Sequence, residues 1–144
     1  MGFFLMSKRF SMIYNVVIFC LVVFLIACTQ DKTHKSGKIL IEILYMNHGP
    51  VQPVLKKLKA EFKQFETKAE FQWYDFEKDL DFKKKKGIDF HVPIVIWINN
   101  KNSVEINGEK ILLQGFPKNE GPKFARGVWE VKDLITAIKN ITGD

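Results

Sequence analysis

The sequence predicts an α/β domain built on a mixed central sheet, with helices on both faces. Three observations carry that expectation. Two short runs, Ile39–Tyr45 and Ile94–Ile98, are almost wholly apolar, as strands covered on both faces are. Apolar residues at helical spacing follow the first run and also close the chain. Asn107-Gly108 stands between two short strand-like segments, a strong signal for an antiparallel hairpin.

The elements follow in order. Ile39–Tyr45 is interrupted only by Glu42 and reads as a central strand. Val51, Val54, Leu55, Leu58, Phe62 and Phe65, with lysines between them, define an amphipathic helix from Val51 to Glu66. Pro50 and Pro53 fall at or before its first turn, where a missing N–H costs little. Ala69–Phe76 is aromatic-rich and strand-like. Asp79–Lys86 is a short helix stopped by Gly87. After Ile94–Ile98 come a turn at Asn99–Asn102, then strands Ser103–Ile106 and Lys110–Gln114. Val131, Leu134, Ile135, Ile138 and Ile141 mark a final helix beginning near Trp129. There is no internal repeat. A β-α-β unit, then a hairpin and a last helix, make a mixed sheet.

The 144 residues suffice for one compact domain, and 47% hydrophobic with 26% charged is an ordinary globular composition. Met1–Ala27 has the pattern of an export signal. Lys8 and Arg9 precede the apolar run Val16–Ala27, which is short against the ~20 apolar residues of a membrane span. Leu25-Ile26-Ala27-Cys28 resembles the lipobox of bacterial lipoproteins. The resemblance implies cleavage before Cys28, lipid on that cysteine, and a place on the extracytoplasmic face of the cell envelope. Cys28–Gly37 then reads as a polar tether and Lys38–Asp144 as the folded domain. The formal charge of +6 falls to +4 once Lys8 and Arg9 are removed, too little to point to a nucleic-acid partner. The two cysteines are Cys20, inside the signal, and Cys28. The mature domain therefore has no free thiol for a disulfide, a thiolate nucleophile or a zinc–thiolate site.

The element order resembles the thioredoxin fold, and several residues sharpen the likeness. His48-Gly49-Pro50-Val51 stands where thioredoxins carry Cys-Gly-Pro-Cys at a helix N-terminus. Glu42 occupies the place of the family's buried acid, six residues earlier. Val92-Pro93-Ile94 matches the family's cis-proline loop, and Gly115 resembles the glycine that closes its last hairpin. The likeness implies a thioredoxin-like three-layer sandwich over Lys38–Ile141. It also implies an extended peptide paired with the loop at Val92 and Pro93, and rim aromatics matched by Tyr45, Phe116 or Trp129. Both motif cysteines are absent, so dithiol exchange is not expected.

Two further readings attach to these residues. Met46, His48 and His91 bear a thioether and two imidazoles, which suit copper or zinc; equally, Met46 is core and each histidine bonds a backbone group. Glu42 either reaches His48 as an acid–imidazole base or is a partly solvated or lysine-paired strand residue. No nucleophile accompanies it, so an enzyme is not expected. The run Lys83–Lys86 reads as a solvated helix face with at least one stem laid along the domain, rather than as a binder of anionic lipid.

Overall fold

A computed structural model describes residues 37–144. The expected signal, the lipidated Cys28 and nearly all of the tether lie outside the described residues.

The described chain is a mixed α/β fold. Strand β1 (Ile39–Tyr45) leads through a 3-10 turn at Gly49–Val51 into helix α1 (Gln52–Phe62). Strand β2 (Ala69–Asp75), helix α2 (Leu80–Lys85) and strand β3 (Ile94–Ile98) follow. Strands β4 (Ser103–Ile106) and β5 (Glu109–Leu112) form the hairpin, and helix α3 (Val131–Thr142) ends the fold. Each expected element is present, with boundaries moved by a few residues.

The main sheet has the order β2-β1-β3. β1 and β2 are parallel, with Glu42 opposite Gln72, and β1 and β3 are antiparallel, with Glu42 opposite Trp97. The chain just beyond β5 adds a partial fourth rung outside β3. Ile96 N–H donates to the Leu113 carbonyl at 2.9 Å, and Gly115 N–H to that of Ile94 at 2.8 Å. Two-residue turns end two strands. Asn99 and Asn100 take φ of 48° and 67°, and Asn107 and Gly108 take 53° and 81°. Asparagine and glycine tolerate this region, and two such residues in succession match the twist of a hairpin.

Strand alternation divides the core. Ile41, Ile43, Ile94, Ile96 and Ile98 face α1 and α3, where they pack with Leu58, Phe62, Leu134 and Ile138. Leu44, Val95 and Trp97 face the other way, against Ile88, Val92 and the half-buried Phe82 of α2. α3 is held at both ends. Glu130 and Asp133 form a capping box, and Gly143 closes the helix at φ 74°.

Candidate functional site

The His48-Gly49-Pro50-Val51 turn joins β1 to α1, as its sequence implies. His48 is extended at φ −140°, its carbonyl accepts from Val51 N–H at 3.0 Å, and the 3-10 turn carries proline early. Val51 is buried, whereas His48, Gly49 and Pro50 are exposed. A Cβ at Gly49 would meet nothing within 4 Å, so steric space does not require glycine there. The His48 ring lies beside the thioether of Met46, with Nε2 3.3 Å from Sδ. Met46 itself belongs to the core, 2% exposed.

His91 is not joined to that pair by any hydrogen bond or ring contact among the described residues. Its exposed ring meets Phe76 edge-on, with centroids 6.1 Å apart. Among the described residues, no group of three or more His, Cys, Asp or Glu side chains is placed to hold a metal ion.

Glu42 does not pair with His48. It lies on the α2 side of β1, and Lys86 Nζ donates to its Oε2 at 2.5 Å. The two side chains are 6% and 9% exposed. Lys86 also donates to Asn100 Oδ1 at 2.9 Å and sits 5.3 Å and 5.1 Å from the ring centres of Phe82 and Trp97. The ammonium is thus held by a carboxylate, an amide oxygen and two aromatic faces. The lysine-paired reading of Glu42 is the one observed, with the lysine supplied by the end of α2. Of the four-lysine run, Lys84 and Lys85 are exposed, while Lys83 lies 4.3 Å from the Phe76 ring centre.

Beside Glu42, Tyr74 stacks on Phe82 at 3.5 Å and donates to Gln72 Oε1 at 2.6 Å. Burial pushes the Tyr74 phenol above its ordinary value of 10.0, and the carboxylates of Glu42, Asp79 and Glu70 add to the effect. Tyr45 is raised for the same reasons, burial first and then Asp75 and Asp79. The unfolded chain, with ordinary phenols, loses these protons first. The contribution is therefore complete below pH 10.0 and declines as pH rises through the folded values. The urea midpoint is expected to fall above pH 10.0, and to fall less in Tyr74→Phe; an equal fall would remove Tyr74 from the cause.

The loop before β3 corrects one expectation. Every described peptide bond is trans, including Val92–Pro93. Trans is the default for a prolyl bond unless its surroundings enforce the other isomer. The loop is fastened by Met46 N–H, which donates to the Pro93 carbonyl at 2.9 Å. Val92 and Pro93 are buried, yet among the described residues the backbone of Phe90, His91 and Val92 makes no backbone–backbone hydrogen bond.

The expected rim aromatics are also corrected. Trp129 is 0% exposed and Phe116 3% exposed, because both pack into the main core; Tyr45 is half-buried. The exposed apolar residues here are Phe90 at 45%, Phe124 at 94% and Val128 at 66%. They line, with His91, Pro93 and Arg126, an open groove of about 440 Å³. Nothing in the periodicity of the sequence marks them, since Phe90 and Val128 lie in loops and Phe124 in a single 3-10 turn, Lys123–Ala125. The only signal is their position: Phe90 precedes Pro93, and Phe124 and Val128 follow Gly115. A larger depression of about 890 Å³ lies by Asn99–Glu105 and the end of α3. It is open and shares no lining residue with the motif turn or the Pro93 loop.

No protein-family model matches the chain, and no curated protein matches it in sequence.

Proposed function

We propose that the protein is a membrane-anchored, redox-inactive thioredoxin-like lipoprotein of the bacterial envelope, and that it holds an extended peptide or protein segment in the groove beside Val92 and Pro93. The observation that carries this reading is the apolar rim of Phe90, Phe124 and Val128 around a loop whose backbone has hydrogen-bonding capacity to spare. An extended segment needs that combination: main-chain pairing for affinity and apolar contacts for selection. The strand order, with parallel β1 and β2, antiparallel β3 and a further antiparallel rung at Leu113–Gly115, supports the thioredoxin-like assignment. The trans Val92–Pro93 bond departs from the family pattern, so pairing would use the loop in a geometry of its own. The chain enters the sheet at Ile39, and Pro93 bonds the chain beyond the far end of β1. The lipobox motif supports lipid attachment, and the mild positive charge gives no reason to propose a nucleic-acid role.

The test is selection of a displayed random peptide library on the full chain in detergent micelles. Enrichment is expected for the native protein and is expected to vanish for Phe124→Ser with Val128→Ser, whose melting curve should be unchanged because both side chains are exposed. Equal enrichment by both proteins would sink the groove. Labelled palmitate should enter the native chain and not Cys28→Ser.

A second reading is favoured by the 3.3 Å approach of Met46 Sδ to His48 Nε2, a thioether–imidazole pair suited to Cu(I). Anaerobic titration with Cu(I) and Zn(II), beside a His48→Ala, His91→Ala variant, separates the two. One tight equivalent lost in the variant would make the turn a ligand loop; binding that is absent or unchanged removes the metal.

A further inference from the structure

The groove beside Pro93 carries one permanent charge, and the way that charge is held speaks to the ligand. This inference rests on the peptide-holding reading. Arg126 lines the groove and is exposed. Its Nε donates to the carbonyls of Glu120 and Gly121, both at 3.1 Å. Its backbone is clamped on both sides: Phe116 N–H donates to the Ala125 carbonyl at 2.9 Å, and Gly127 N–H to the Phe116 carbonyl at 2.7 Å. Lys57 bonds Glu120 Oε1 at 2.6 Å and ties this loop to α1.

The two terminal Nη groups of Arg126 make no hydrogen bond or ion pair with any described residue. No Asp or Glu lines the groove. A guanidinium whose Nε and backbone are already fixed, with its terminal nitrogens unused, is pre-organised for an anion. A carboxylate is the anion that a peptide brings, and it matches the guanidinium fork.

The carboxylate is that of a side chain rather than a chain terminus. Terminal carboxylates are captured in nests of free backbone N–H groups. Beside the guanidinium, the N–H groups of Ala125, Arg126 and Gly127 already donate, to Pro122, Lys123 and Phe116; the free ones of Phe90, His91 and Val92 lie on a different segment. The unpaired run Phe90–Val92 suits a chain that passes through.

We propose that the groove recognises an extended segment bearing an Asp or Glu side chain, with Arg126 holding the carboxylate and Phe90, Phe124 and Val128 taking the neighbouring apolar side chains.

The test repeats the peptide selection on the full chain with Arg126→Gln and Lys123→Gln. Sequences selected by the native protein and by Lys123→Gln are expected to share an acidic residue near an aromatic or aliphatic one. Those selected by Arg126→Gln are expected to keep the apolar preference and lose the acid. For one selected peptide, changing its acid to the amide should weaken native binding by about tenfold or more, as for a lost charged hydrogen bond, and leave binding to Arg126→Gln unchanged. Arg126→Lys, which keeps the charge, takes its place should Arg126→Gln disturb the loop; it is expected to retain the acid preference at lower affinity. Peptides selected without an acid, or an acid preference that survives Arg126→Gln, overturn the role of Arg126 and leave the groove standing. No enrichment over the Phe124→Ser, Val128→Ser control removes the peptide reading and this inference together.

Discussion

Lys86→Met is expected to lower the stability of the domain by about 3–5 kcal/mol, as removal of one partner from a buried ion pair does. The reason is what it leaves behind. Glu42 is 6% exposed at the side chain, and its partner is the Lys86 ammonium. Methionine fills much of the same volume between Phe82 and Trp97 but offers the carboxylate nothing. Against the ~5–15 kcal/mol that holds a typical domain, the loss is large. Glu42→Leu combined with Lys86→Met is expected to recover most of it, since apolar replacement of a whole buried pair is often neutral or stabilising. Urea denaturation of the two single variants and the double one measures the coupling. A double variant no more stable than Lys86→Met alone would show that the aromatic contacts of the lysine, not its charge, carry the effect.

Gly127→Ala is the second large loss, expected at about 3 kcal/mol, the upper end for overpacking of a close contact. A Cβ at Gly127 would lie 2.0 Å from the Gln114 carbonyl oxygen and 2.9 Å from Trp129 Cδ1. That carbonyl also accepts from Trp129 Nε1 at 3.2 Å, and the indole is fully buried. Relief therefore needs movement of backbone that pairs with β3, of the indole, or of both. Gly49→Ala is the internal control: open space surrounds it, and its effect should stay within about 1 kcal/mol of neutral. The melting temperature of Gly127→Ala should fall by more than 10 °C on the usual scaling for a domain of this size, roughly 4–8 °C per kcal/mol. A fall as small as that of Gly49→Ala would mean that the loop shifts freely and does not brace the groove.

Much of the fold was legible because its signals are local. The apolar runs, the helical spacing of Val54 to Phe62, the Asn107-Gly108 turn and the prolines at the start of α1 each constrain the backbone where they stand. The motif turn was legible for the same reason. Its chemistry was only partly so. Met46 and His48 are two residues apart and their meeting is local, whereas His91 depends on how a distant loop packs, and it packs on Phe76.

By itself the sequence determined the order of the elements, the absence of any thiol from the described domain, and the approximate bounds of each strand and helix. Periodicity and turn chemistry act over a few residues, so they are readable without a third dimension. Only the tertiary structure decided that Lys86 pairs with Glu42, 44 residues away, that Trp129 and Phe116 are buried, and that Phe90, Phe124, Val128 and Arg126 share one groove. Those outcomes depend on which loops meet at the ends of the strands. Loop residues have no period that assigns them a face, and long-range pairing is set by the register and packing of the whole sheet.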